Sequence, residues 1–182
     1  MDGCYNAAVL LADGRGVAQD EARAAELYEA ACDGGVALGC LNLGVLHRNG
    51  QGVAQDQSRA AILFGQACDA GDDTGCVNLG VMYSLGQGVT ADETRAAALF
   101  RQGCMSGIGL GCYNLAVSYL TGSRGEPDGV SALTFLIIAA DIGHDLANRD
   151  LDRLADDLTP DQIAQAIARA ERCTTSGFAD CD

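Results

Sequence analysis

Gly39-Cys40-Leu41-Asn42-Leu43-Gly44-Val45 returns 36 residues later as Gly75-Cys76-Val77-Asn78-Leu79-Gly80-Val81, and again, loosened, as Gly111-Cys112-Tyr113-Asn114-Leu115-Ala116-Val117. The cysteines keep the same step of 36: Cys4, Cys40, Cys76 and Cys112 form one ladder, and Cys32, Cys68 and Cys104 a second. Self-similarity at a fixed period of this length marks units that stack because none buries its apolar face alone. The sequence therefore predicts a repeat protein, one elongated domain over residues 1–182, with repeats at approximately 4–39, 40–75, 76–111 and 112–147.

Each unit reads as two helices. The first runs roughly from Gly39 to Asn49 and stops at Gly50-Gln51-Gly52, where glycine supplies the left-handed conformation a helix end needs. The second follows Asp56, a good N-cap, and carries Ala60, Leu63, Phe64 and Ala67 at the spacing of one amphipathic face, with Cys68 at its end. Neighbouring units match in register: Gly86-Gln87-Gly88, Asp92, Leu99, Phe100 and Cys104 after it, and Gly14-Arg15-Gly16, Asp20, Leu27, Tyr28 and Cys32 before it.

The fourth unit departs from this pattern. Gly125-Glu126-Pro127-Asp128 replaces the Gly-x-Gly turn, and Ala140 and Asn148 stand where cysteines belong. Its second helix, Ala132 to Ala140, is continuously apolar, which predicts burial on more than one side. Thr159-Pro160-Asp161-Gln162 reads as a capping box, opening a helix with Ile163, Ala166, Ile167 and Ala170 in one stripe. Residues 148–182 are thus expected to form a C-terminal capping helix and a tail tied back by Cys173 and Cys181.

The cysteines fall in Cys-x7-Cys pairs, which suit neither zinc knuckles nor the Cys-x-x-Cys of redox catalysis. The spacing does suit a bridge from the end of one helix to the start of the next antiparallel one. Loop-closure entropy gives such a ring about 2.5 kcal/mol. The competing reading is buried free thiols packing as small apolar residues. On the stapled reading the pairs are Cys32 with Cys40, Cys68 with Cys76, Cys104 with Cys112 and Cys173 with Cys181, Cys4 stays free, and the protein works in a periplasm or outside the cell. Cys4 holds the second place of a pair whose first member would precede Met1, so an upstream repeat and export signal are expected ahead of it.

Composition narrows the function classes. The net charge is −14 and all 11 basic residues are arginine, a field that repels phosphate backbones and argues against nucleic acid as a partner. No apolar run reaches the ~20 residues that cross a bilayer, so membrane insertion is not expected. No metal or other cofactor is expected. His47 shares its repeat position with Leu11, Tyr83 and Tyr119 and reads as a packing residue, while His144 lies in an inter-helix turn.

The unit Gly-Cys-x-Asn-Leu-Gly-Val-x-Tyr-x-x-Gly-x-Gly-Val-x-x-Asp-x-x-Arg-Ala-x-x-Leu-Phe-x-x-x-Cys, read across Gly75 to Cys104, resembles the Sel1-like repeat, a cousin of the tetratricopeptide repeat. Its cysteine-bearing form is similar to the Helicobacter cysteine-rich proteins. The resemblance implies an all-α fold, an α/α superhelical solenoid of antiparallel helix pairs, with one disulfide per repeat and a concave face suited to binding proteins or peptides. It also carries an alternative, penicillin binding or weak β-lactamase activity. A serine β-lactamase needs Ser-x-x-Lys, and the chain has no lysine. A Ser-His-Asp arrangement across repeats stays open, as does a bare structural spacer.

Recognition without catalysis is the favoured reading, and it can be placed. Cys40, Leu43, Gly44 and His47 share the face that meets the second helix, which leaves Asn42, Leu46 and Asn49 on another, expected to be exposed. Asparagine recurs there as Asn6, Asn42, Asn78 and Asn114, beside variable Leu46, Met82 and Ser118 and, seven residues on, Asn49, Leu85 and Thr121. A fixed amide beside variable neighbours suits an extended peptide, the amide pairing with backbone and the neighbours reading side chains. The alternative is that the asparagines brace successive repeats. Given the acidic chain, the expected partner is a protein or extended peptide of net positive charge.

Overall fold

A computed structural model describes residues 2–122, 125–178 and 181. Among these are ten α-helices and no strand. They gather in two compact units divided between Asp92 and Glu93. The first holds α1 (Asp2–Asp13), α2 (Glu21–Asp33), α3 (Ala37–Asn49), α4 (Gln57–Asp69) and α5 (Asp73–Leu85). The second holds α6 (Glu93–Met105), α7 (Gly109–Thr121), α8 (Gly129–Asp141), α9 (Asp145–Ala155) and α10 (Pro160–Thr175).

Local chemistry sets the helix ends. Asp20, Asp56 and Asp128 cap α2, α4 and α8, each carboxylate accepting from the backbone N–H three residues on. Gly50 and Gly86 close α3 and α5 in the left-handed region. The second glycine of the turn has a different reason. At Gly88, φ is +71°, and a Cβ would lie 2.3 Å from the backbone carbonyl of Gln57, so only glycine lets the turn seat on the start of α4.

Four disulfides join Cys32 to Cys40, Cys68 to Cys76, Cys104 to Cys112 and Cys173 to Cys181, and Cys4 is free and half-buried. The pairing is the one the eight-residue spacing suits. Gly75 makes room beside one of them: a Cβ there would sit 2.7 Å from Ala67 Cβ and 3.0 Å from Cys68 N, so its absence brings α4 and α5 together at the bridge.

In the first unit the core joins Ala24, Ala25 and Tyr28 of α2 to Leu43 and Leu46 of α3 and to Leu63 and Ala67 of α4. A second cluster seats Met82 of α5 on Ala60, Ala61 and Phe64 of α4. The second unit is built on α8, which is flanked by α7, α9 and α10. Leu133, Phe135, Leu136 and Ile138 are all buried, as the continuously apolar sequence predicts, and the helix is longer than expected, starting at Gly129 behind its Asp128 cap.

The C-terminal stretch differs from the expected single cap. Gly143, at φ +94°, repeats the inter-helix turn, so α9 begins at Asp145 and precedes α10. The capping box of Thr159 and Gln162, with Pro160 in the first turn, opens α10 as read. Ala166 and Ala170 are buried against α8, where Arg169 Nη1 donates to Ser131 Oγ, but Ile167 is exposed and leaves the stripe. No helix among the described residues is long and apolar enough to cross a membrane.

Candidate binding groove

The face expected to be free is largely occupied. Leu46, Met82 and Ser118 are only 8%, 1% and 5% exposed. The error is geometric: four residues after each asparagine the helix has turned about 40° beyond a full circle, which in α3 and α5 brings Leu46 and Met82 into the core clusters described above. Asn6, Asn49 and Leu85 are exposed, while Asn42, Asn78 and Asn114 are half-buried.

Three asparagines are engaged inside the first unit. Asn42 hydrogen-bonds the Tyr28 hydroxyl, whose pKa is nonetheless raised, chiefly by burial. Asn78 accepts from Arg48 Nη1 at 2.9 Å and donates to Thr74 O at 3.0 Å. The Arg48 guanidinium also lies 5.5 Å from the centroid of the Phe64 ring. One arginine of α3 thus reaches α5 and covers the aromatic floor between them. Asn49 pairs locally with Gln51, and Asn114 Nδ2 is buried with no hydrogen-bond partner among the described residues.

The second unit holds an open counterpart. A cavity of about 270 Å³ is lined by Tyr113, Val117 and Leu120 of α7, by Leu136 of α8, and by Asp150, Arg153, Leu154 and the following Asp157 on the α9 side. Tyr113, Val117 and Leu120 share one face at helical spacing, and Val117 and Leu120 are exposed. The α7 wall is therefore apolar, the α9 wall charged, and Leu136 forms the floor.

The charged wall is organised by Tyr113. Its hydroxyl donates to Asp150 Oδ2 at 2.7 Å, while Arg149 Nε donates to Asp150 Oδ1 at 3.2 Å. The Tyr113 hydroxyl is the main cause holding the Asp150 carboxyl below the usual carboxylate range, and the same bond is the main cause raising the Tyr113 pKa. His144, at the start of α9, packs its ring 4.8 Å from that of Tyr113. This arrangement can hold an apolar side chain and meet charge at its rim; among the described residues His144 Nε2 is buried without a hydrogen-bond partner, serine included.

A Sel1-repeat family model matches the chain four times, at residues 2–36, 37–72, 74–108 and 109–144. The chain belongs to the Sel1-repeat family. Sel1 repeats are generally non-catalytic scaffolds that mediate protein interactions. Solved structures agree on the all-α Sel1-like solenoid. A protective antigen present in uropathogenic Escherichia coli strains, displaying an SLR fold, is similar at TM-score 0.80 and 24% identity over 97% of this chain and 40% of its own. A Sel1 repeat protein from Oxalobacter formigenes gives TM-score 0.78 and 24% identity over 94% of this chain and 73% of its own. Helicobacter pylori cysteine rich protein B matches 45% of this chain and 62% of its own at 32% identity, with TM-score 0.44. The chain spans less than half of the E. coli antigen. No curated protein matches the sequence.

The Sel1 ladder itself carries the residues that sequence reasoning missed. Thirty-six residues beyond Asn114 lies Asp150, beyond Ser118 lies Leu154, and beyond Thr121 lies Asp157, the three positions that line the α9 side together with Arg153. The cysteine ladder that marks the repeat ends where Asn148 replaces a cysteine, just short of these positions. On α7 the missed wall, Tyr113, Val117 and Leu120, is offset by one residue from Asn114, Ser118 and Thr121.

Proposed function

We propose that the protein is a non-catalytic scaffold that binds extended protein segments of net positive charge in the groove between α7 and α9. The open apolar cavity beside charged α9 is the observation that carries this reading, because an unfilled apolar wall next to fixed charges is a ready site for a peptide side chain and its neighbours. The four disulfides support an oxidising place of work such as a periplasm or the extracellular space. A net charge of −14 favours cationic segments and makes their capture sensitive to salt.

Panning a phage-displayed random dodecapeptide library on the oxidised protein tests the proposal. Enriched peptides should lose at least about tenfold in affinity to Leu120→Arg and to Val117→Asp, two exposed positions whose replacement leaves thermal unfolding nearly unchanged. Peptides that bind both variants as they bind the parent would move the recognition surface elsewhere.

A further inference from the structure

Resting on that groove, we infer that its occupant presents one large apolar side chain with an arginine or lysine two or three residues from it, the cation pairing with Asp157. The cavity, about 270 Å³, falls below the roughly 300–1,000 Å³ of small-molecule sites and has room for one anchoring side chain. Val117, Leu120, Leu136 and Leu154 supply the apolar lining for that anchor.

The rim then decides the neighbour. Both oxygens of Asp150 are engaged, one by the Tyr113 hydroxyl and one by Arg149, so this carboxylate is already answered. Asp157 lines the same cavity, and its carboxylate has no hydrogen bond or ion pair among the described residues. Arg153, one turn earlier on the same wall, makes no ion pair with it among those residues. Residues 145–157 carry five aspartates against two arginines, so the local field adds to the attraction for a cation. Asp157 follows Leu154 of the apolar lining by three residues, about one helical turn or ~5 Å, and a chain in extended form advances about 3.3 Å per residue, which puts the basic residue two or three positions from the anchor.

The dodecapeptide library read by sequence is the test, panned in parallel on the parent and on Asp157→Arg. The parent should enrich peptides with a large apolar residue and a basic one at that spacing. Asp157→Arg should lose the basic preference and enrich an acidic residue in its place, and Asp157→Asn should weaken the parent's peptides about fivefold, the worth of one exposed ion pair. Peptides that bind the parent and Asp157→Arg alike, yet are lost on Leu120→Arg, would overturn the cation assignment and leave the groove standing. Peptides indifferent to Leu120→Arg, or no enrichment at all, would overturn both.

Discussion

Arg48 and Leu120 occupy the same place in their repeats, and the space beside them differs accordingly. In the first unit Arg48 extends from α3 to Asn78 on α5 and lies over Phe64, so the cleft between two first helices is bridged. In the second unit Leu120 is too short and too apolar to cross. Asp150, the counterpart of Asn78, is held instead by Tyr113, and a cavity stays open between α7 and α9. The repeat fixes where first helices stand; the residue twelve places into the unit decides whether the space between them is sealed or available.

The largest expected difference is in stability. Met82 fills the first unit's α4–α5 interface and is 1% exposed, so Met82→Ala should cost about 2–5 kcal/mol by denaturant unfolding. Leu120→Ala, on the open groove wall, should cost less than about 1 kcal/mol. Equal losses at the two sites would show that the groove is as tightly packed as the closed interface.

A staple comes next. The α8–α9 turn lacks the bridge of the earlier repeats, with Ala140 and Asn148 in the cysteine places. Ala140→Cys with Asn148→Cys should oxidise to a fifth disulfide and raise the stability of the oxidised protein by up to about 2.5 kcal/mol in thermal unfolding. Three free thiols in the air-oxidised variant, Cys4 and both introduced ones, would mean that α9 has left the repeat geometry.

Opening the sealed cleft is a smaller change. Arg48→Leu removes the bond to Asn78 and the contact over Phe64, and should cost about 1–2 kcal/mol, with Asn78→Ala adding little once Arg48 is gone. A double-mutant cycle in urea measures the coupling. Strictly additive losses would separate the two residues and remove the bridge from the account.

The bridge also explains how much the sequence could disclose. Periodic glycines, aspartate caps and cysteine pairs act within one or two turns of chain, and these gave the helices, the Asp56 and Asp128 caps, the capping box at Thr159 and the disulfides. The groove depends on which side of a first helix meets its neighbours. α3, α5 and α7 carry apolar residues around most of their circumference, so Leu46 and Val45 offer no polarity contrast to settle that rotation, and Ser118 beside Val117 offers a misleading one, the serine being buried and the valine exposed. The charged wall was legible only by carrying the ladder past Asn148 to Asp150, Leu154 and Asp157.

The smallest effect singles out the Tyr113 to Asp150 bond that organises the open side. Tyr113→Phe keeps the ring against His144 and removes the hydroxyl, and at neutral pH should cost about 1 kcal/mol. Its pH dependence is the sharper signature. Asp150 has a folded pKa below its unfolded value of about 4, so its share of the stability is full above that value and disappears as pH falls through the folded pKa. Tyr113 has a folded pKa above its unfolded value of about 10, so its share is full below that value and disappears as pH rises through the folded pKa. The gap in unfolding free energy between parent and Tyr113→Phe should therefore be flat from about pH 5 to 9 and shrink at both extremes. At Arg48 and Asn78 the same experiment should show no such rise and fall, since the acceptor there is a neutral amide and not a carboxylate. A Tyr113→Phe gap that persists unchanged below pH 3 would mean that the hydroxyl acts through packing rather than through the carboxylate.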